Sequence, residues 1–280
     1  MSVTTVLGQR VPRRMRLTLS AVVVAIVSIG ISGETRADSS VRDVARTVSD
    51  YRQQNERAIL TEYFNLLRLP NHAADLDDIQ RNAEFIVQML KSRGIQGRIL
   101  STGVGAPAVF GEVKAPGAET TIVFYVHYDG QPVVPANWDS DPFEPVLRTN
   151  YLSRGGKEID FDSVSFPIDP DIRIFARSTS DDKAPIIGLL TAYDALRAHG
   201  IPLSANLKFF FEGEEESGSP HLEKMLAEHG DLLDADVLIF CDGPVHQSGR
   251  KKVSFGVRGP VGFEVTVYGP DRPLHSGHYG

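Results

Sequence analysis

The chain has 280 residues, of which 41% are hydrophobic and 23% charged, values that are ordinary for a globular protein and exclude a disordered or fibrous chain. The net charge of −7 argues against nucleic acid as a general partner, because phosphate binding requires a basic surface. The single cysteine, Cys241, excludes a disulfide framework and any zinc site built from several cysteines.

The N-terminal residues have the composition of an export signal. Four arginines precede an uncharged, mostly apolar stretch of 17 residues, Leu17 to Gly33, and small residues at Thr35 and Ala37 fit a cleavage site after Ala37. We therefore predict a signal peptide over residues 1–37 and an exported protein, periplasmic or secreted. The alternative is a membrane anchor, but spanning a bilayer takes roughly 20 apolar residues, so we expect no stable membrane span after cleavage. The pair Arg13-Arg14 leaves the export route open between the general and the twin-arginine pathways.

The remainder of the chain is more acidic than the total charge suggests. Residues 1–37 carry five arginines and one glutamate, a net charge of +4, which leaves −11 for the other 243 residues. Several of these carboxylates follow predicted strands.

Helices and strands alternate along the main body. Two amphipathic helices are predicted first, at residues 41–67 and 75–93. The strands predicted from apolar runs bounded by turn residues are 108–110, 121–126, 172–176, 207–211 and 237–240, and further helices are predicted at 184–199 and 220–229. This alternation indicates an α/β protein with a mixed, largely parallel sheet that is sandwiched by helices. Residues 130–171, which include six prolines, are predicted to be a long irregular segment.

The C-terminal segment has a different pattern. Residues 253–257 and 261–268 predict two strands. The residues of the second strand that alternate toward one face are Val261, Phe263, Val265 and Val267. We therefore predict a main domain over residues 38–257 and the start of an α+β domain over 258–280. Because domains rarely have fewer than about 50 residues, we expect the chain to be a fragment of a longer protein.

Residues that can bind a metal ion follow four of the predicted strands. In chain order they are His127, Asp129, Asp181, Asp182, the glutamates within 212–216, and Asp242. Ligands of open α/β sheets bind beyond the carboxyl ends of the strands, so these side chains should converge if the strands are parallel. One imidazole with several carboxylates suits zinc, manganese or cobalt, whereas calcium prefers oxygen ligands alone.

Each of these motifs also has a purely structural explanation. Asp129-Gly130 and Asp242-Gly243 fit ordinary turns, and residues 180–182 fit a helix N-cap followed by acidic residues of the first turn. The acidic run 214–216 fits a solvated loop. The same ligand chemistry after four separate strands nevertheless favours a metal site.

The segments around these residues resemble the M20 family of metallopeptidases, which includes carnosinase, bacterial dipeptidases and N-acyl amino-acid deacylases. The matching segments are VHYDGQPV at 126–133, SDDK at 180–183, EGEEESGS at 212–219, CD at 241–242 and LHSG at 274–277. They follow the family's order over residues 45–280, and WDSDPF at 138–143 is most similar to the dipeptidase-type members. The resemblance implies a di-zinc exopeptidase-like catalytic domain over 38–257 and the beginning of a lid and dimerisation domain over 258–280.

The resemblance implies a centre with two divalent metal ions. His127, Asp181 and Asp242 would bind the first ion, and Asp181 would bridge to a second ion that Glu216 also binds. Zinc is expected, with manganese and cobalt as alternatives. In the family the histidine of the second metal follows the lid domain, which places it beyond residue 280, so we expect the 280-residue chain alone to lack one ligand.

The resemblance also implies three catalytic residues. Glu215 would be the general base, and Asp129 would orient the ring of His127. His275 would reach the active site of a partner subunit and there bind substrate or the oxyanion, which implies a homodimer.

The predicted function is therefore that of an exported di-metal hydrolase that cleaves amide bonds of dipeptides or short peptides, as a dipeptidase or carboxypeptidase does. An N-acyl amino-acid deacylase of the same fold is the alternative enzyme, because the motifs are shared. An inactive, truncated metal-binding relative is the alternative without catalysis.

Overall fold

The fold is seen in a computed structural model that describes residues 31–243, 246, 248, 250–256, 259, 261–269, 272–275 and 277, with side chains from residue 40 onward. Most of the predicted signal peptide, residues 1–30, lies outside the described residues, and the signal stays a prediction. No helix in this part of the chain combines the length and the apolar composition that crossing a membrane requires.

The described residues form five α-helices, and the helix predicted at 41–67 is divided into two. The helices are α1 (Ile31–Gln54), α2 (Glu56–Leu67), α3 (Leu76–Ser92), α4 (Lys183–Ala198) and α5 (Leu222–His229). The division falls at Asn55, whose backbone is not helical (φ −109°, ψ 10°). The side-chain amide of Asn55 donates to the carbonyl oxygen of Tyr51 at 2.8 Å, a bond that competes with the helical backbone pattern. The other predicted helices are confirmed to within two or three residues.

Eight strands form two sheets in the described part of the chain. They are β1 (Gln96–Leu100), β2 (Ala108–Val113), β3 (Thr121–His127), β4 (Val146–Arg148), β5 (Glu158–Ile159), β6 (Arg173–Phe175), β7 (Asn206–Glu212) and β8 (Val237–Phe240). β1 was not predicted, since its five residues include no apolar run.

The larger sheet has the strand order β1-β2-β7-β3-β8. β3 is parallel to its neighbours β7 and β8, whereas β2 is antiparallel to β1 and β7. The sheet is therefore mixed, as predicted, and its three parallel strands end at the same edge. His127, the last residue of β3, lies opposite Glu212, the last residue of β7.

Apolar side chains cover both faces of this sheet. Phe209 and Phe211 pack on one face with residues of α2, α3 and α4, and Phe210 packs on the other with Tyr125 and Met225. Successive side chains of a strand point to opposite faces, so burial on both faces explains why β7 is apolar almost throughout. Each fully buried phenylalanine contributes about 1.5–3 kcal/mol, and this packing fixes the strand ends that carry the candidate site.

The strand predicted at 172–176 lies outside the larger sheet, so the expectation that it joins the parallel strands was wrong. As β6 it pairs antiparallel with β4, which pairs antiparallel with β5 within the segment predicted to be irregular. A short apolar run predicts a strand but does not identify the strand with which it pairs, so the sheet to which residues 172–176 belong could not be inferred from it. The residues after β6 still reach the edge of the larger sheet, because α4 begins at Lys183 and contacts β3.

The chain divides into two compact units between Asp242 and Gly243. In the second unit the described residues 251–256 and 261–269 form no strand, so the two strands predicted at 253–257 and 261–268 are not found in them. Their apolar side chains, among them Phe255 and Phe263, are exposed. An extended segment with no paired strand and no buried face is not stable as a sheet. The boundaries proposed for the two domains, 38–257 and 258–280, stay predictions.

Candidate metal centre

His127 lies at the centre of the candidate site. It is the last residue of β3, and its side chain is fully buried. Its Nε2 atom lies 2.8 Å from Oδ1 of Asp181 and 3.8 Å from Oδ2 of Asp242. The ring is therefore surrounded by carboxylates on the side where β3 ends.

Asp181 and Asp242 complete a group of three ligands. Asp242 follows the end of β8, and Asp181 lies in the turn before α4, where the Asp181–Asp182 peptide bond is cis. One ligand atom each from His127, Asp181 and Asp242 lies within 4.8 Å of the others, and no other such group occurs among the residues that the structure describes. The structure thus brings together the three residues predicted to bind the first metal ion.

Asp129 connects the two loops that follow β3 and β7. Its carboxylate is fully buried, and Oδ1 lies 3.2 Å from Nδ1 of His127. Oδ1 also accepts a hydrogen bond from the backbone N–H of Glu215 (3.1 Å), and Oδ2 accepts one from the backbone N–H of Glu216 (3.0 Å). One side chain therefore positions both the imidazole ring and the acidic loop.

The adjacent glutamates Glu215 and Glu216 have different surroundings. Oε2 of Glu215 lies 3.8 Å from Nε2 of His127. The carboxylate of Glu216 instead accepts a hydrogen bond from the side-chain amide of Gln131 at 2.8 Å, and Glu216 is not among the three grouped ligands. Gln131 was not predicted as a site residue, since a single glutamine after a turn has no distinguishing pattern.

Asp182 is a further acidic residue at the site to which the resemblance gave no role. It is 2% exposed, and its Oδ2 accepts a hydrogen bond from the backbone N–H of His127 at 3.4 Å. Burial is the main cause that raises the pKa of Asp182 to about 8. The carboxylates of Asp242 and Asp181 raise this pKa further, whereas His127 lowers it. The place of Asp182 directly before α4 resembles that of an ordinary first-turn acid, so its burial was not foreseeable.

The excess of carboxylates shifts the pKa values of the central groups. Burial alone would lower the pKa of His127, but Asp129, Asp182 and Glu215 outweigh that effect and raise it to about 10. Burial raises the pKa of Glu215, and the charge of Asp242 adds to the increase while His127 opposes it. The site therefore attracts positive charge, which a proton or a cation can supply.

His275 belongs to the second unit of the chain. Its Nδ1 accepts a hydrogen bond from the backbone N–H of Gly277 at 3.0 Å. The role that the resemblance implies for His275, at the active site of a partner subunit, stays a prediction.

The grouped side chains fit a divalent transition-metal ion. One imidazole and two carboxylates provide three protein ligands, the number typical of catalytic zinc sites, which keep a further position open. The Asp181 side chain is 64% exposed, so the site is accessible from solvent, and buried Asp129 supports the ring nitrogen that faces away from the ligands.

Three comparisons agree on the relatives of this chain. The family model "Peptidase family M20/M25/M40" matches residues 123–277. Among curated proteins, the chain is 32% identical over 177 residues to the Cys-Gly metallodipeptidase of Schizosaccharomyces pombe. The aligned region covers 62% of this chain and 33% of that protein. The chain is 28% identical to the human Beta-Ala-His dipeptidase, over 62% of this chain and 31% of that protein. The chain therefore spans about one third of the length of these relatives.

Solved structures share the fold of the described residues. The M20 family metallo-carboxypeptidase Sso-CP2 of Sulfolobus solfataricus superposes with a TM-score of 0.55 and 29% identity, over 69% of this chain and 39% of that one. Human carnosine dipeptidase 1 superposes with a TM-score of 0.58 and 20% identity, over 71% of this chain and 41% of that one. The family model covers more than half of the chain and includes every residue of the metal-ligand group, so this chain belongs to peptidase family M20.

Proposed function

We propose that this chain carries the catalytic metal centre of a hydrolase that cleaves the amide bond of dipeptides or short peptides. The observation that carries the proposal is the convergence of His127, Asp181 and Asp242 within 4.8 Å, with Glu215 beside the same imidazole. Membership of family M20 and relatives described as Cys-Gly and Beta-Ala-His dipeptidases support amide hydrolysis and a short peptide as substrate.

His127, Asp181 and Asp242 would hold the metal ion. A divalent ion bound there supplies Lewis acidity toward a carbonyl oxygen and toward water. The fully buried ring of His127 has little freedom to turn away, because Asp129 faces Nδ1 and leaves Nε2 directed at the carboxylates. His127 therefore provides a metal ligand whose direction is held before any substrate binds.

Glu215 would act as the general base. Its carboxylate lies 3.8 Å from Nε2 of His127 and is partly exposed, so it can face both the metal ligands and a substrate. It would take a proton from the attacking water and deliver a proton to the amine that leaves, so that one amide and one water give one acid and one amine. Burial raises the pKa of Glu215 in the metal-free protein, and the charge of a bound divalent ion would act in the opposite direction.

We also propose a second metal ion, bridged by Asp181 and bound by Glu216. Asp181 directs Oδ1 at His127, and its side chain is largely exposed, so its second oxygen is available to another ion. Glu216 follows Glu215 directly, and its hydrogen bond from Gln131 would have to yield to the metal. Zinc is the ion that we expect in both positions, with manganese or cobalt as alternatives.

Export and dimerisation belong to the same proposal. The arginine-rich start and apolar stretch of residues 1–37 support export to the periplasm or beyond the cell. The resemblance of residues 274–277 to the lid segment of family M20 supports a homodimer in which His275 serves the partner subunit.

The proposed mechanism is tested by replacing Glu215 with glutamine. We expect Glu215→Gln to lower kcat for dipeptide hydrolysis by about 10²–10⁴-fold, because it removes the proton acceptor while keeping the size of the side chain. The metal content of the purified protein should stay at the wild-type value. Glu223→Gln, an exposed glutamate of α5, is the matched control and should change neither quantity. Unchanged turnover in Glu215→Gln would exclude Glu215 as the base.

A further inference from the structure

A buried asparagine outside the predicted site contacts two of the three segments that carry the proposed metal ligands. Asn71 lies between α2 and α3 and is 1% exposed. Its side-chain amide donates to the carbonyl oxygen of Tyr128 at 2.7 Å and to the hydroxyl of Ser178 at 2.9 Å. Tyr128 directly follows His127, and Ser178 lies three residues before Asp181. Asn71 therefore connects the loop after β3 to the loop before α4.

The three segments meet in close contact at this point. The backbone carbonyl of Asn71 accepts a hydrogen bond from the N–H of Gly130 at 2.8 Å. A Cβ atom added to Gly130 would lie 2.5 Å from Oγ of Ser178 and 3.1 Å from the amide of Asn71. Ser178 has a left-handed backbone (φ 61°), which side chains rarely adopt and which persists only where the surroundings impose it. The contacts of Asn71 thus join the segments that lead to His127 and to Asp181 at one closely packed point.

The segment that carries Asn71 is itself held firmly. The buried Nζ of Lys183 donates to the carbonyl oxygens of Leu66 and Leu69, each at 2.9 Å. Asn82 of α3 donates to the carbonyl oxygen of Pro70 at 2.7 Å. Because these three hydrogen bonds anchor the residues that directly precede Asn71, the segment can act as a fixed support for the two ligand loops.

We propose that Asn71 is a positioning residue of the metal centre, which sets the separation of His127 from Asp181 and thereby the affinity for the metal ion. This inference rests on the proposed function, since it requires these residues to bind a metal. Residues that orient metal ligands without touching the metal commonly change affinity by 10–100-fold when replaced.

The test compares Asn71 with Asn206, an asparagine at the start of β7. The side chain of Asn206 also makes hydrogen bonds: it donates to the carbonyl oxygen of Ala118 at 3.5 Å and accepts from the backbone N–H of Ala115 at 2.9 Å. Asn206 lies at the opposite end of β7 from Glu212 and the candidate site. The affinity of the metal-free protein for Zn²⁺ is measured by competition with a chelator, and the thermal unfolding midpoint of each variant is measured alongside. We expect Asn71→Ala to weaken Zn²⁺ binding by about 10–100-fold. Asn206→Ala should also lower the unfolding midpoint and leave Zn²⁺ affinity near the wild-type value.

A second variant keeps the test decisive if Asn71→Ala does not fold. Ser178→Ala removes the hydroxyl that Asn71 binds and leaves every proposed metal ligand in place. We expect it to weaken Zn²⁺ binding as well, and the double variant to bind no more weakly than Asn71→Ala, because both changes break the same connection.

The outcomes separate this inference from the proposed function. Equal Zn²⁺ affinity in the Asn71 and Asn206 variants, with wild-type binding intact, would overturn the positioning role and leave the metal centre standing. A wild-type protein that binds no Zn²⁺ would overturn the proposed function and the positioning role together.

Discussion

Both ring nitrogens of His127 face carboxylates, and this determines what the residue can do. Nδ1 lies 3.2 Å from Asp129, and Nε2 lies 2.8 Å from Asp181. A buried imidazole that is supported through one nitrogen presents the other as a metal ligand of fixed direction. Asp129 also binds the backbone of Glu215 and Glu216, so a single carboxylate couples the metal ligand to the proposed base.

Replacing Asp129 tests this coupling. Asp129→Asn keeps the size of the side chain but removes its charge, and one of its two accepting oxygens becomes a donor. We expect metal affinity to fall by about 10–100-fold, because the ring of His127 loses its support. We also expect kcat to fall in metal-saturated protein, because the backbone of Glu215 loses a hydrogen bond.

The control for this change is Asp231→Asn, which neutralises an exposed aspartate in the turn after α5. It should leave both metal affinity and kcat unchanged. Equal behaviour of the two variants would show that Asp129 has no special role.

At the level of residues, the sequence predicted those with a metal-ligand side chain next to a strong strand signal. His127, Asp129 and Asp242 follow apolar runs directly, so their positions at one sheet edge could be inferred. Asn71 could not, because its partners Tyr128 and Ser178 lie 57 and 107 residues away in the chain. Asp182 was named as a possible metal-binding residue, but its burial against His127 at the end of β3 could not be inferred from the local sequence.

Among the elements, the three parallel strands β7, β3 and β8 do most to build the site. β7 leads into the acidic loop after Glu212, β3 ends in His127, and β8 is followed by Asp242. Ligands of open α/β sheets bind at this edge. Strand type was predictable from apolar runs, whereas the partner of each strand was not. The placement of β6 in a separate antiparallel sheet is the clearest case.

The turn after β7 has little spare room, which a pair of glycine variants tests. A Cβ atom added to Gly213 would lie 2.6 Å from the hydroxyl of Tyr128 and 2.7 Å from the carbonyl oxygen of Pro107. Because Tyr128 is fully buried and donates to that same carbonyl, neither group can move freely. We expect Gly213→Ala to lower the free energy of unfolding by about 1–3 kcal/mol, as overpacking does.

Gly188→Ala is the control, and we expect it to change the free energy of unfolding in the opposite direction. Gly188 is an exposed residue within α4, and an added Cβ would meet nothing within 4 Å. Alanine is favoured over glycine in a helix interior, so this change should raise the free energy of unfolding by about 0.5–1 kcal/mol. Denaturant unfolding of both variants measures the difference, and a Gly213→Ala protein as stable as wild type would contradict the tight packing.

For the whole molecule, the acidic balance acquires an explanation. Of the charge of −11 outside residues 1–37, part lies in carboxylates gathered around one buried imidazole. Such a cluster repels itself, and a divalent cation bound among these ligands would relieve that repulsion. The overall charge was evident from composition, but only the fold shows that these acids lie together rather than on separate surfaces.

The central claim is that these residues form a metal centre for peptide hydrolysis, and removal of the metal tests it most directly. Hydrolysis of a dipeptide panel, Cys-Gly and β-Ala-His included, is measured on the purified protein before chelation, after chelation, and after Zn²⁺, Mn²⁺ or Co²⁺ is restored. We predict that activity disappears with the metal and returns with at least one of these ions, and that Asp242→Asn is not restored to wild-type activity at the same metal concentration. Undiminished hydrolysis by protein without detectable metal would contradict the account.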